Sequence, residues 1–465
     1  MTDQQARPHP YIPNAVPAVK AALLAAVGAA SSDEFYADIP VSLRLAAPLD
    51  MPEPFRSEAE LVRHVEGLLR RNTSTRDVLS FLGAGCYPHH VPAVCDEING
   101  RSEFLTAYAG EPYEDHGRFQ ALFEYASMMG ELLEMDVVNV PVYDGFQASS
   151  TALRMAGRIT GRRRVLVPAS MSRDKRSRIR DYVRPDLDVE EVAFEPATGL
   201  LDLGALGRAL GGDVAGVLIE NPGYLGVVEA RAAEIASLAH AAGALAIGDV
   251  DPSTLGVLAA PASWGADLAC GDIQPLGIHQ QFGGGNGGFI ASHDEPRVVL
   301  EFPSRLFGIA PTTVPGEYGF GDVAYERTSF AVREEGKEWV GTAAALWGIT
   351  AGVYLALMGP RGMQELGETM MARTRYAITR LESVPGVRVP FSGQHHVKEF
   401  VVDLGASGRT VAAVSRELLA RGIFFGKDLS LEHPALGQAA LVCVTEIHAQ
   451  ADIDRLADEL REVLR

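Results

Sequence analysis

The sequence has 465 residues, of which 47% are hydrophobic and 22% are charged, and its formal net charge is −19 at pH 7. This length exceeds what one hydrophobic core usually fills, so it predicts a large folded domain together with a smaller one. The acidic balance argues against sequence-independent binding to nucleic acid or to an anionic membrane, because both need a basic surface.

The cysteines and the N-terminus bear on metal binding and on the compartment. No cysteine belongs to a Cys-x-x-Cys pair or to a zinc-type cluster, which predicts reduced thiols at Cys86, Cys95, Cys270 and Cys443. The apolar stretch near the N-terminus is framed by polar residues and is shorter than a membrane span, so a signal peptide is not expected. We therefore expect a cytoplasmic protein.

Residues 1–75 are predicted to form an N-terminal helical arm. Apolar residues recur at helical spacing from Ser57 to Arg71, and Ser57 followed by Glu60 matches a capping box. A Gly-rich aromatic turn, FLGAGCYPHH, separates this arm from the rest of the chain.

Residues 76–340 are predicted to form a large α/β domain. Short β-branched runs at Arg164–Pro168, Val214–Glu220 and Ala244–Asp249 each precede a loop, and a helical pattern covers Ala232–Ala242. Strands that alternate with helices predict a parallel sheet. Ligands bind at the carboxyl ends of such strands, so the residues that follow each strand are candidates for function.

Residues 341–465 are predicted to form a linking helix and a small C-terminal α+β domain. An Ala-rich segment from Thr342 has a helical pattern as far as the Pro-Gly break in PGVRVP. Strands are predicted near Lys398–Val402 and Ala440–Val444, before a final amphipathic helix. This layout is common among fold-type-I pyridoxal-phosphate enzymes, although a layout does not establish a function.

Ordered blocks along nearly the whole chain resemble one protein family. They include SFLGAGCYPHHVPAV, LFEYASMMGELLEMDVVNVPVYDG, VLVPASMSRDKRSRIRDYV, GADLACGDIQPLGIHQQFGGGNGGFIAS and ALVCVTE. In order and spacing they are similar to the alpha, or N-terminal-type, subunit of glycine decarboxylase, the P-protein of the glycine cleavage system. The resemblance implies a fold-type-I pyridoxal-phosphate transferase-like fold and an alpha–beta heterodimer that dimerises again.

The resemblance also implies that a beta-type subunit carries the lysine that binds pyridoxal phosphate. In the slot of that lysine this chain has Gln274 and Pro275, although Pro275 also fits an ordinary turn. None of the five lysines falls in the interval where this lysine is expected: Lys20, Lys175, Lys337, Lys398 and Lys427. We therefore predict that this chain has no catalytic residue, that it binds no cofactor covalently, and that a partner subunit holds pyridoxal phosphate.

Candidate cofactor-binding residues lie at three places. Asp249 stands where the partner of the pyridine nitrogen would lie, and the alternative is a strand-end aspartate that caps the next turn. Gly145, Phe146 and Gln147 begin a predicted helix whose N-terminus is suited to a phosphate, and the alternative is an ordinary N-cap. Thr342 persists in a family motif that is otherwise replaced here.

Candidate substrate or interface residues resemble family segments that line the active-site cleft between subunits: Tyr87, His89, His90, Tyr108 and Tyr113. Adjacent histidines do not share a helix face, and no carboxylate is spaced to complete a metal site, so no metal is predicted. The basic run over residues 173–180 is predicted to be the solvated face of a helix, and the alternative is binding of a phosphate or of an acidic partner such as the H-protein.

The resemblance favours an alpha subunit of glycine decarboxylase. Together with a beta-type P-protein subunit it would support the decarboxylation of glycine and the transfer of the aminomethyl group to the lipoyl H-protein, and it would be inactive alone. One alternative is a diverged paralogue that acts in assembly or regulation without catalysis. Another is an independent enzyme that binds pyridoxal phosphate without a covalent bond.

Overall fold

The computed structural model describes residues 12, 16–47, 49–104, 116–338, 340 and 343–465. The chain divides into two units, Met1–Asn72 and Thr73–Arg465. Among the described residues, no helix has both the length and the apolar character that crossing a membrane requires.

The helices, in chain order, are α1 Pro17–Ala26, α2 Glu58–Leu69, α3 Ala93–Asn99, α4 His116–Leu133, α5 Gly145–Thr160, α6 Arg173–Val183, α7 Leu203–Ala209, α8 Ala232–Ala241, α9 Pro296–Val299, α10 Ala345–Glu382, α11 Val411–Ala420 and α12 Gln450–Val463. The strands are β1 Leu79–Ser80, β2 Val137–Val138, β3 Arg164–Pro168, β4 Asp188–Val192, β5 Val214–Asn221, β6 Leu245–Val250, β7 Leu268–Asp272, β8 Gly288–Ser292, β9 Phe307–Pro311, β10 Tyr318–Asp322, β11 Glu399–Asp403, β12 Ile423–Phe424, β13 Lys427–Asp428 and β14 Ala439–Cys443.

The first unit contains α1 and α2, and none of the residues in these two helices is buried. The side chain of Ser57 caps α2 by accepting a hydrogen bond from the Glu60 N–H at 3.2 Å. The Glu60 carboxylate accepts from the N–H of Arg56 at 3.4 Å rather than from Ser57. Of the two hydrogen bonds of the predicted capping box, only the one accepted by the Ser57 side chain is therefore present.

The second unit is built on a sheet with the strand order β2-β8-β7-β6-β5-β3-β4. The five strands from β7 to β4 in this order are parallel, whereas β8 is antiparallel to both of its neighbours. This confirms the predicted α/β fold with a large, mainly parallel sheet. The chain order reverses between β3 and β5, so the carboxyl ends of these strands border a crevice that suits a ligand.

Both faces of the sheet are covered, which explains the nearly continuous apolar runs in its strands. Successive side chains point to opposite faces: Val165 and Val167 join a core with α5 and α6, while Leu166 joins a core with α8. A third core packs β7 and β8 against α4 and α10.

The C-terminal part has its own sheet, β11-β14-β13, which is antiparallel. Its core unites residues of β11 and β14 with α11, α12 and the end of α10. Helical geometry in α10 is interrupted at Gly359, where φ is 58°, directly before Pro360. Proline has no N–H to donate and clashes with the preceding turn, so a break at this point is expected.

Candidate functional site

A cavity of about 370 Å³ lies at the carboxyl edge of the large sheet. Its walls come from the ends of β5, β6 and β7, the first turns of α5 and α6, residues 84–87 and the start of β11. The volume falls in the range of small-molecule sites.

Asp249, the candidate partner of a pyridine nitrogen, lies at the end of β6 and is 6% exposed. Its Oδ2 accepts a hydrogen bond from Ser149 Oγ at 2.7 Å and forms an ion pair with the ammonium of Lys175. Lys175, in the first turn of α6, also pairs with Glu220 at 3.2 Å. Burial works against the ammonium charge, but the Asp249 and Glu220 carboxylates outweigh burial and raise the pKa of Lys175. Lys175 is therefore protonated and is not a nucleophile.

A second buried lysine, Lys398, lies directly before β11 and is 4% exposed. Its ammonium pairs with Asp251, donates to Ser253 Oγ at 3.2 Å and lies 3.5 Å from the centre of the Tyr87 ring. It also lies 3.1 Å from Nε2 of His89. Burial raises the pKa of Asp251, yet Lys398 outweighs that effect and the pKa is lowered.

The candidates Tyr87 and His89 both contribute to this wall. The Tyr87 hydroxyl donates to Glu399 Oε2 at 3.1 Å. Because Nε2 of His89 accepts from Lys398, Nδ1–H donates to Glu446, 2.7 Å away. His90 has an exposed side chain and donates its backbone N–H to Glu446 at 2.7 Å.

Two carboxyl groups in the cavity wall, the buried Glu399 and the partly buried Asp272, have pKa values close to neutrality. Burial raises the pKa of Glu399 to about 7, even though its oxygens accept hydrogen bonds from the N–H of Ala84 and the hydroxyl of Tyr87. Burial likewise raises the pKa of Asp272 to about 7.

The start of α5 holds the candidates Gly145, Phe146 and Gln147. The Gly145 N–H donates to Asp272 Oδ2 at 2.8 Å, and the Gln147 N–H donates to Asp144 Oδ1 at 2.7 Å. The ring of Phe146 has the Arg178 guanidinium 5.1 Å from its centre. These contacts are those of an ordinary helix N-cap, because both amides already donate hydrogen bonds to carboxylates of the chain.

Gln274, which the sequence predicts to stand in the slot of the Schiff-base lysine, is 1% exposed. Its Oε1 accepts from the Tyr87 N–H at 2.9 Å, and its Nε2 donates to the carbonyls of Tyr87 and Ile278 at 3.1 and 3.0 Å. Pro275 lines the cavity. The Gln274 amide therefore anchors the segment that carries Tyr87.

The basic run over residues 173–180 is only partly solvated. The prediction of a solvated face is wrong for Lys175, which is buried in the cavity wall, and for Arg176, whose side chain is 14% exposed beside Glu191. Arg178 fits the prediction, because its side chain is 63% exposed.

Most charged residues of the site were not singled out by sequence: Lys175, Glu220, Asp251, Asp272, Lys398 and Glu399. A signal existed for part of them, since Glu220 ends one predicted strand and Asp251 follows shortly after another. Tyr108, Tyr113 and Thr342 lie outside the described residues.

The mainly parallel sheet, the separate C-terminal sheet and the cavity at the strand ends define the class: the fold is that of pyridoxal-phosphate-dependent enzymes of fold type I. A sphingosine-1-phosphate lyase of Burkholderia pseudomallei superposes with a TM-score of 0.65 at 14% identity, covering 92% of this chain and 94% of the lyase. At that identity the likeness concerns the fold alone.

The chain belongs to the glycine cleavage system P-protein family, whose model matches residues 9–460. A crystal structure of glycine decarboxylase (P-protein) in inhibitor-bound form superposes with a TM-score of 0.84 at 32% identity, covering 98% of this chain and all of that one. A probable glycine dehydrogenase (decarboxylating) subunit 1 of Moorella thermoacetica is 38% identical, over 98% of this chain and 99% of the relative. A protein of the same name in Staphylothermus marinus is 34% identical, over 98% of this chain and 98% of the relative.

The fold class implies pyridoxal phosphate, but the residues of this cavity do not fit it. The cofactor needs an amine for its imine and a carboxylate that keeps the pyridine nitrogen protonated. Here an amide, Gln274, stands at the position that the sequence predicts for the amine, and Lys175 already pairs with Asp249. Asp272 and Asp144 occupy two amides at the start of α5 that an anion would need. No reaction step is assigned to a cofactor in this cavity.

Proposed function

We propose that this chain is subunit 1, the alpha-type half, of a two-subunit glycine decarboxylase. Family membership and the names of full-length relatives support the assignment. One observation supports the assignment of the cofactor to another subunit: Gln274, at the position predicted for the Schiff-base lysine, has a buried amide that makes three internal hydrogen bonds.

In this proposal a beta-type P-protein subunit holds pyridoxal phosphate, which supplies the imine and the electron sink for decarboxylating glycine. The lipoyl H-protein then receives the aminomethyl group. This chain forms no bond to glycine and instead provides part of the wall of the cleft. Its four cysteines are free thiols, which suits the reducing cytoplasm.

Among the described candidates, His90 is the one we assign to contact the partner or the substrate. Tyr87 and His89 use their polar side-chain atoms inside this chain, on Glu399, Lys398 and Glu446. The imidazole of His90 is exposed while its backbone is fixed. Tyr87 and His89 therefore position the segment, and His90 faces outward from it.

The test is co-expression with a beta-type subunit, followed by glycine–bicarbonate exchange in the presence of lipoyl H-protein. The chain alone is expected to be colourless and inactive, and the complex yellow and active. After borohydride reduction, the pyridoxyl label should lie on a peptide of the partner. His90→Ala should lower exchange activity, with the exposed His293→Ala as the matched control.

Two outcomes would contradict the proposal. A borohydride-stable label on Lys175 or Lys398 would make this chain a cofactor-binding enzyme. A homodimer that neither binds a beta-type subunit nor supports exchange would indicate a role in assembly or regulation.

A further inference from the structure

The segment of residues 84–90 is held by side chains from the ends of two C-terminal strands. Glu399, the first residue of β11, accepts a hydrogen bond from the Tyr87 hydroxyl at 3.1 Å. Shortly after β14, the Thr445 hydroxyl donates to the Pro88 carbonyl at 2.5 Å. The partners in these two contacts are 312 and 357 residues apart, so the C-terminal sheet fixes a distant part of the chain.

Glu446, the next residue after Thr445, makes the contact that reaches His90. Its Oε2 lies 2.7 Å from Nδ1 of His89, and its Oε1 accepts from the His90 N–H at 2.7 Å. Burial raises the pKa of Glu446, but hydrogen bonding to His89 and to the His90 N–H outweighs burial and lowers the pKa to about 2. Both oxygens are therefore acceptors at neutral pH.

The surroundings of Glu446 require an acceptor at both of these positions. Nε2 of His89 lies 3.1 Å from the ammonium of Lys398, which has only hydrogens to donate, so the proton of the imidazole is on Nδ1. The His90 N–H is a donor as well. A carboxylate meets both demands, whereas an amide has one oxygen and its NH2 group would face a second donor.

The side chain of His90 lies beside open space. It lines a second cavity, of about 340 Å³, and Tyr87 lines both this cavity and the first one. The imidazole of His90 is exposed, so its place is set by how the backbone of the segment is held. The second cavity leaves room there for a group from outside the chain.

We propose that Glu446 is a positioning residue for the exchange reaction of the two-subunit enzyme: its carboxylate fixes the His90 backbone and thereby the imidazole that this chain presents. The inference rests on the proposed function, because it concerns the complex with a beta-type subunit. Glu446 acts through His90 and is not itself a catalytic residue.

The experiment is glycine–bicarbonate exchange by the complex with a beta-type subunit and lipoyl H-protein, in a double-mutant cycle of Glu446→Gln and His90→Ala. Glu446→Gln alone should lower the exchange rate about tenfold, because small misplacements of a contacting group are costly. In the His90→Ala background it should change the rate by less than about twofold, because the group through which it acts is already absent. A merely structural effect would lower the rate equally in both backgrounds.

The matched control is Asp454→Asn. This carboxylate, on α12, also accepts two hydrogen bonds, from the Tyr376 hydroxyl at 2.7 Å and from Arg380 Nε at 2.6 Å, but both donors belong to α10. The control should leave the exchange rate within about twofold of the wild type, since distant sites act independently.

If Glu446→Gln fails to fold, Thr445→Val takes its place, because it removes the hydrogen bond to the Pro88 carbonyl and keeps the size of the side chain. It should lower exchange several-fold alone and have no further effect with His90→Ala. An unchanged rate for either single variant, or equal losses in both backgrounds, would overturn the inference and leave the proposed function intact. Absence of exchange in the wild-type complex would contradict the proposed function and this inference with it.

Discussion

Removing the Lys175 ammonium should destabilise the second unit severely and in a pH-dependent way. Lys175→Met keeps the length of the side chain and leaves two carboxylates without their counter-ion, of which Asp249 is 6% exposed. Removing one partner of a buried ion pair costs about 3–5 kcal/mol. Because the hydrogen bond from Ser149 to Asp249 remains, we expect the free energy of unfolding to fall by about 3 kcal/mol at pH 8.

The loss should shrink at pH 5, because a buried carboxylate without a counter-ion takes up a proton more readily. Urea unfolding followed by circular dichroism at both pH values measures this difference. Arg178→Met is the control on the same helix: its partner Asp144 is 3.4 Å away and its side chain is 63% exposed, so the change should stay below about 1 kcal/mol.

A double variant separates charge from packing. Combined with Asp249→Asn, the Lys175→Met substitution should cost less than the sum of the two single changes. The reasoning is refuted if Lys175→Met costs less than about 1 kcal/mol at pH 8, or if its cost is equal at both pH values.

The other predictions concern Glu399 in the cavity wall, Gln274 at the predicted position of the Schiff-base lysine, and Gly226. The pKa of Glu399 in the folded protein, about 7, exceeds its ordinary value of 4.5. Its contribution to the free energy of unfolding is therefore complete below pH 4.5 and is lost as the pH rises through 7. Between pH 5 and pH 8 the free energy of unfolding of Glu399→Gln, measured in urea, should therefore rise by about 1–3 kcal/mol relative to that of the wild type. Parallel pH profiles of the two proteins would contradict this. Gln274→Ala should lower stability by about 2–3 kcal/mol through lost hydrogen bonds, and an unchanged unfolding midpoint would argue against the anchoring role. Gln274→Lys with added pyridoxal phosphate should show no visible aldimine band, since Lys175 still neutralises Asp249. Gly226→Ala should unfold at a markedly lower temperature, because φ is 82° and a Cβ would lie 2.1 Å from the Glu399 carbonyl oxygen; a melting temperature within a degree or so of the wild type would show that the backbone adapts.

The large sheet could be predicted because its signals are local. Buried parallel strands need apolar β-branched runs, and the runs at Arg164–Pro168 and Val214–Glu220 coincide with β3 and, to within one residue, β5. The strand β8, Gly288–Ser292, was not assigned, because the glycines before it indicate a flexible turn. The position of the Schiff-base lysine was likewise predicted from the sequence, since Gln274 stands 25 residues past Asp249, which ends the predicted strand Ala244–Asp249.

The sequence by itself determined the α/β layout and the family, and it predicts that the Schiff-base lysine is missing, because periodicity and ordered motifs are properties of short segments. Only the tertiary structure decided which charges meet. Lys175 lies 45 residues from Glu220, and Lys398 lies 145 residues from Ser253 and 309 from His89. Five lysines far from the slot gave no reason to expect two ammonium groups in one cavity. The parallel sheet brings its strand ends to one edge, and α6 and β11 pack against that edge, so contacts of this range depend on the complete fold.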